Sequence, residues 1–111
     1  MKTVRSSKDI KLLLPQIRKL LERVYGDRLL NVFLYGSFAK GRANKESDID
    51  IAIILKGKVN KGKEIDKICD LLYDLELETG ELISVYPVSE SELKNTVWPL
   101  YRHIKREGIR V

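Results

Sequence analysis

The sequence predicts an α/β fold of the α+β type, a small mixed sheet of three or more strands with helices packed on it. Apolar residues recur at spacings of three and four near the N-terminus and again after residue 60, which indicates two amphipathic helices. Three short runs rich in β-branched and aromatic residues lie between and after these patterns and are typical of strands. Since 43% of the 111 residues are hydrophobic, we expect one domain spanning residues 1–111.

The first predicted element is an amphipathic helix. Its apolar stripe consists of Ile10, Leu13, Leu14, Ile17, Leu20, Leu21 and Val24. Pro15 lies inside this pattern and predicts either a break or a helix that begins near it, because proline lacks the N–H that an interior helical residue donates. Gly26 predicts the end of the helix.

Two strands are predicted next. The run "LLNVFLYG" indicates a strand over about residues 29–35 that Gly36 ends. In "SDIDIAIILKG", alternate positions form two apolar sets, Ile49, Ile51 and Ile53 on one face and Ala52 and Ile54 on the other. Both faces are therefore apolar beyond Asp50, as expected of a central strand that is covered on each side.

A long helix and a third strand follow. The helical pattern comprises Ile65, Ile68, Leu71, Leu72 and Leu75, and Gly80 supplies its stop. The run "ELISVYPVS" predicts the strand, and Pro87 places the far end of that strand at a sheet edge or a bulge. A helix of this length between two strands favours a right-handed crossover that joins them in parallel.

The C-terminal part of the chain predicts two more helices. Ser89 and Glu92 have the spacing of a capping box for a short helix. The run "WPLYRHIKREG" predicts a last helix with Pro99 in its first turn and Gly108 after its end. The predicted order of elements is thus α-β-β-α-β-α-α.

Composition and charge narrow the function classes. A single cysteine excludes a disulfide within the chain, and no apolar run approaches the roughly 18 residues of a membrane span, so we expect a cytoplasmic protein with no membrane partner. The net charge of +5 favours an anionic partner, such as a nucleotide, a nucleic acid or an acidic protein. Because the lysines are dispersed along the chain, specific nucleic-acid binding is not expected.

Asp48 and Asp50 are the first candidates for chemistry. Residues i and i+2 of a strand point to the same face, so the two carboxylates project together at the start of an apolar strand. Such a pair repels unless a cation lies between the charges, and Mg²⁺ binds one or two carboxylates together with substrate phosphates. The alternative for an isolated Asp-x-Asp is that Asp48 caps a turn while Asp50 faces solvent or pairs with a lysine.

Gly36 and Ser37 favour the metal interpretation. A helix that starts at Ser37 would present N–H groups to an anion, and Gly36 would let phosphate oxygens approach the backbone. If the flanking strands are antiparallel neighbours, the ten residues 38–47 return Asp48 to the side of Gly36. A P-loop is rejected, because Arg42 and Ala43 stand where its lysine and its serine or threonine are required.

The stretch "GSFAKGRANKESDIDIAI" resembles the G-S-x10-D-x-D signature of the minimal nucleotidyltransferase family, small members of the DNA polymerase β-like superfamily. The resemblance implies that Gly36 and Ser37 bind a nucleoside triphosphate and that Asp48 and Asp50 are catalytic and hold Mg²⁺, as two ions. Lys40 and Arg42 are candidates for steering phosphates, with a solvated role as the alternative for each.

The resemblance also implies a reaction and a partner. Members of the family transfer a nucleoside monophosphate, commonly AMP from ATP, and members of this size resemble antitoxins encoded with a HEPN-domain ribonuclease toxin. The implied acceptor is then a tyrosine of the toxin. The alternative is an antitoxin that neutralises its toxin by binding alone. A homo-oligomer is left open by the sequence.

The third predicted strand departs from the family pattern. Active members carry a third carboxylate there, which completes the metal site or acts as the base, and the alignment places Ser84 at that position. A serine replaces a carboxylate neither as a metal ligand nor as a general base at neutral pH. Glu81 is the nearest acid and is the candidate third carboxylate, with a solvent-facing residue at the strand end as the alternative.

Overall fold

The computed structural model describes residues 7–36, 48–94 and 99–111. Along the described residues the elements are helix α1 (Ser7–Tyr25), a 3₁₀ turn (Gly26–Arg28), strands β1 (Leu29–Tyr35) and β2 (Ile49–Leu55), helix α2 (Lys61–Thr79), strand β3 (Ile83–Ser89), helices α3 (Glu90–Leu93) and α4 (Pro99–Glu107), and strand β4 (Ile109–Arg110). The predicted mixed α/β architecture is confirmed, and so is the predicted order of its helices and first three strands.

The four described strands form one mixed sheet in the order β3-β2-β1-β4. Strands β1 and β2 pair antiparallel, β2 and β3 pair parallel, and β4 pairs antiparallel with β1. Helix α2 connects the two parallel strands, as the crossover prediction required. Strand β3 lies at an edge, which agrees with Pro87 in its far half. Strand β4 was not predicted because two residues are too few to show a period.

The two faces of the sheet carry two separate apolar clusters. Alternate residues of β2 divide between them as predicted, with Ile49, Ile51 and Ile53 in one cluster and Ala52 and Ile54 in the other. The first cluster also contains the buried side chains of α1 and α2, including Ile17, Leu21, Ile68 and Leu72. The second contains Tyr101 and Ile104 of α4. Helices α1 and α2 therefore cover one face, and α4 covers part of the other.

Pro15 does not break helix α1, and the predicted break is wrong. The helix runs without interruption from Ser7 to Tyr25, with the Pro15 ring exposed. An interior proline costs a helix about 3 kcal/mol. Full burial of Ile17 and Leu21, at roughly 1.5–3 kcal/mol for each side chain, offsets that cost.

The ends of the other helices follow the predicted signals. Gly80 caps α2 in the left-handed conformation at φ 73°, and the Ser89–Glu92 capping box is formed at the start of α3. The hydroxyl of Tyr25 donates a 2.9 Å hydrogen bond to the buried carboxylate of Glu64, which ties α1 to α2. Within the described ranges, none of the helices has the length and apolarity to cross a membrane.

Candidate active site

Two carboxylates stand at the beginning of β2. Asp48 directly precedes the strand and Asp50 is its second residue, and both side chains are half-buried. Strand alternation places them on the same face as Ala52 and Ile54, which is the face that α4 partly covers. Burial, and then the charge of Asp48, raise the pKa of Asp50 above its ordinary value. The structure thus brings the two predicted acids together, and they repel each other.

Gly36 lies against this pair. Strands β1 and β2 pair antiparallel, which is the condition that the sequence argument set, and the pairing places Tyr35 opposite Asp50, so Gly36 follows at the same edge of the sheet. Its φ of 74° lies in the left-handed region, and a Cβ added there would overlap the carboxylate of Asp50. Glycine is therefore required at position 36 for two reasons, the backbone conformation and the space.

The structure describes one of the four predicted phosphate-binding residues, Gly36. Ser37, Lys40 and Arg42 lie outside the described residues. Their proposed contacts with phosphate oxygens stay predictions that rest on the sequence motif.

Ser84 lies beside the two acids, at the position where the family resemblance implies a third carboxylate. It is paired in register with Asp50 across the parallel β2–β3 ladder. Its hydroxyl donates a 3.4 Å hydrogen bond to Oδ2 of Asp48. The side chain is exposed, so this hydroxyl lies on the open surface of the site.

Glu81, the candidate third carboxylate, lies two residues before β3. Its side chain is 1% exposed, so the alternative of a solvent-facing residue is wrong. Among the described residues, no group of three or more histidine, cysteine, aspartate or glutamate side chains is placed to hold a metal ion. In this arrangement Glu81 therefore does not form a three-carboxylate group with Asp48 and Asp50.

The residues present fit a hard divalent cation. Asp48 and Asp50 offer carboxylate oxygens on one face. Burial, and then the charge of Asp48, raise the pKa of Asp50, and a bound cation would relieve the repulsion between the two carboxylates. Oxygen ligands and few protein groups suit Mg²⁺, which keeps several waters and takes up substrate phosphates. Asp48 and Asp50 are thus the described residues that would hold the ion.

Tyr35 is a residue of this site that the sequence did not single out. Burial, then the charge of Asp50 and then Tyr86, raise the pKa of its phenol to about 12, so the hydroxyl stays protonated at neutral pH. The sequence did contain a signal for its place in the site, because Tyr35 is the last strand residue before Gly36. That Tyr35 lies opposite Asp50 depends on the register between β1 and β2, which cannot be seen in the sequence.

Next to Tyr35 a cavity of about 200 Å³ opens between the end of β1 and helix α4. It is lined by Tyr35, Gly36, Leu100, His103 and Glu107. Carboxylates, a glycine without steric bulk and a small adjoining cavity therefore meet at one end of the sheet. A site of this composition can bind a metal–phosphate group beside an organic ring.

Some known proteins are similar to this chain in sequence, and others are similar to it in fold. Over 89 residues the chain is 34% identical to a Methanocaldococcus jannaschii protein named "Putative protein adenylyltransferase MJ0604", and the match covers 79% of this chain and 83% of that protein. A crystal structure of a toxin–antitoxin with AMP-PNP has a TM-score of 0.62 at 21% identity, covering 86% of this chain and 69% of that one. A mutant MntA-HpeT toxin–antitoxin has the same TM-score at 18% identity and the same coverage.

The fold is thus shared with these solved toxin–antitoxin structures, and the relative from Methanocaldococcus jannaschii is similar in sequence as well. The nucleotidyltransferase domain family matches residues 14–111, which include β1, the acids of β2 and the cavity. This chain belongs to the nucleotidyltransferase domain family.

Proposed function

We propose that this chain transfers AMP from ATP to a protein acceptor, with pyrophosphate as the leaving group. The observation that carries the proposal is the contact of Gly36 with Asp50 at the edge where Asp48 also projects. A carboxylate pair beside a backbone with no side chain is suited to a triphosphate that arrives with its metal ion. The name of the 34% identical relative, a protein adenylyltransferase, supports a protein acceptor.

The residues of the proposed site have separate parts in this reaction. Asp48 and Asp50 would hold Mg²⁺, as the two ions that the family resemblance implies, and Gly36 would leave room for the triphosphate. Bound Mg²⁺ neutralises charge on the phosphates during phosphoryl transfer. Ser37, Lys40 and Arg42 are proposed to contact the phosphate oxygens.

The transfer itself forms one bond and breaks one. The acceptor hydroxyl oxygen attacks the α-phosphorus of ATP, and the bond from that phosphorus to the bridging oxygen of the β-phosphate breaks. Pyrophosphate takes the electron pair of the broken bond, and the hydroxyl proton passes to solvent. A pair of acids on one rigid strand keeps the charges aligned while these bonds change.

The proposed biological role is that of an antitoxin, and the acceptor is a tyrosine of a HEPN-domain toxin. The MntA-HpeT and AMP-PNP structures are toxin–antitoxins with this fold, which supports a toxin partner and a nucleotide substrate. We further propose that residues 1–111 form one domain. The net charge of +5 suits an acidic partner surface as well as a nucleotide.

Ser84 favours a second candidate function. With a hydroxyl where an acid is expected, the chain would neutralise its toxin by binding and without transfer. This candidate predicts a stable complex and full neutralisation that do not depend on Asp48 and Asp50.

One experiment separates the two candidates. The chain is incubated with ATP, Mg²⁺ and the HEPN toxin, and intact mass measurement detects added AMP on the toxin. We expect labelling by the wild type and none by the double variant Asp48→Asn/Asp50→Asn. The matched control removes two charges from the exposed surface of α2, Asp66→Asn/Asp70→Asn, and should label normally. Equal labelling by the Asp48/Asp50 variant would refute the transferase mechanism, whereas neutralisation without labelling would support the binding function.

A further inference from the structure

The cavity between β1 and α4 is not used by the mechanism above. Strand β1 and the residue after it contribute Tyr35 and Gly36, and helix α4 contributes Leu100, His103 and Glu107. The cavity has a volume of about 200 Å³. Pockets that hold whole drug-sized ligands measure roughly 300–1,000 Å³, so this one has room for a ring system and not for a complete nucleotide.

The cavity adjoins the phosphate end of the proposed site. Gly36 belongs to both, since it lines the cavity and lies against the carboxylate of Asp50. Tyr35 also belongs to both, because it lines the cavity and is paired with Asp50 across the strands. A molecule whose phosphates lie at Gly36 would therefore have its remaining part within reach of the cavity.

The walls of the cavity suit a flat ring. Among the lining residues, Tyr35 and His103 have aromatic rings and Leu100 has an aliphatic side chain. Planar bases stack on aromatic side chains without regard to their hydrogen-bonding edges. Tyr35 and Leu100 are half-buried, whereas the side chain of His103 is 57% exposed, which suits a position at the rim.

The rim is polar. Nδ1 of His103 lies 3.5 Å from Oε2 of Glu107, one turn further along α4. Glu107 is the one carboxylate among the described residues that line the cavity. A carboxylate accepts hydrogen bonds and donates none, so it favours a ring that carries an amino group.

We propose that this cavity receives the base of the nucleoside triphosphate and that Glu107 favours bases with an exocyclic amino group. The inference rests on the proposed function and adds a base subsite to it. The competing occupant is the acceptor side chain, which must also approach the α-phosphate. The base is favoured because the cavity shares Gly36 with the proposed triphosphate site.

The test measures binding and needs no transfer. Calorimetric titrations compare ATP with inorganic tripolyphosphate, which has the phosphates and no base, both in the presence of Mg²⁺. Leu100→Ala removes the aliphatic wall of the cavity and should weaken ATP binding about tenfold, the loss of roughly one or two good contacts, with tripolyphosphate affected less than about twofold. Leu77→Ala is the matched control, because Leu77 is 65% exposed on α2, and it should change neither affinity.

A second variant guards against misfolding. His103→Ala removes a rim side chain that is mostly exposed, so the fold should persist, and it should also weaken ATP selectively. Equal loss of ATP and tripolyphosphate binding in His103→Ala, or unchanged ATP binding in both cavity variants, would overturn the inference. Unchanged ATP binding with a raised KM for the toxin would assign the cavity to the acceptor.

The role of Glu107 has its own measurement. The wild type should bind ATP about tenfold more tightly than inosine triphosphate, which lacks the amino group, because the hydrogen bond to a charged acceptor is lost. In Glu107→Ala the ratio should fall below about threefold. A ratio unchanged in the variant would overturn the assignment of Glu107. If the base subsite tests succeed and no AMP is transferred, the subsite stands and the proposed transfer fails.

Discussion

The beginnings of β2 and β3 are neighbours with the same orientation, and they carry different chemistry. The two strands are parallel and in register, with Asp50 beside Ser84. On the face toward α4, β2 offers two carboxylates, whereas β3 offers a hydroxyl that donates to Asp48. The acid nearest to the start of β3, Glu81, is 1% exposed and does not form a three-carboxylate group with the pair among the described residues. The negative charge of the site is therefore concentrated on one strand.

This difference has an electrostatic reason. Burial and the charge of Asp48 already raise the pKa of Asp50, so the pair is costly when no cation is bound. A third carboxylate at position 84 would add a like charge beside both. Serine at that position avoids the repulsion and satisfies one carboxylate oxygen. With serine at position 84 the folded site is more stable without a metal ion, but it has one carboxylate ligand fewer for that ion.

The largest expected effect comes from changing Asp50, and it contrasts with a small effect at Ser84, its partner across the ladder. Asp50→Asn should lower AMP transfer about 10³-fold, because metal-held charge stabilisation is worth several kcal/mol and each 1.36 kcal/mol is tenfold. Ser84→Ala should lower transfer less than about threefold, the loss of a weak, exposed hydrogen bond. Initial rates of toxin labelling measure both. Comparable losses would show that the hydroxyl of Ser84 takes part in the chemistry.

A second prediction concerns the backbone beside Asp50. Gly36→Ala should lower transfer about 10²-fold, because the new Cβ displaces the Asp50 carboxylate from its position. Gly57→Ala is a matched control: Gly57 has φ 82° and no atom within 4 Å of the added Cβ. Both variants should lose roughly 1–2 kcal/mol of stability to the left-handed backbone, as urea unfolding would measure. Equal transfer rates for the two would refute the role of the Gly36–Asp50 contact.

A third prediction supplies the missing acid. Ser84→Asp should raise transfer about tenfold, which is less than the roughly 10²–10⁴-fold that a well-positioned base contributes. Without Mg²⁺ the same variant should unfold at a lower temperature than wild type, since a third carboxylate beside Asp48 repels it, and Mg²⁺ should reverse that loss. Thermal denaturation with and without Mg²⁺ provides a readout independent of activity. Ser84→Asn, of the same size and uncharged, should show neither effect.

The sequence predicted the positions of the glycine and the two aspartates of this site better than the packing around them. Glycine positions and alternating apolar residues are local signals, and they placed Gly36 at the end of β1 and Asp48 and Asp50 on one face of β2. The burial of Glu81 and the approach of α4 to Tyr35 depend on how distant segments pack. Pro15 does not break helix α1 for the same reason, because burial of the apolar face of the helix outweighs the free-energy cost of an interior proline.

The smallest expected effect comes from Glu81, the buried acid before β3. Glu81→Gln keeps the shape of a side chain that is 1% exposed and removes its capacity to act as a base or as a charged ligand. We expect AMP transfer to remain within about twofold, since a positioned general base contributes about 10²–10⁴-fold and Glu81 does not join the carboxylate pair. Glu78→Gln, an exposed acid near the end of α2, controls for the change in net charge. A loss beyond tenfold in Glu81→Gln alone would mean that Glu81 reaches Asp48 and Asp50 during the reaction and supplies the third carboxylate from the segment before β3.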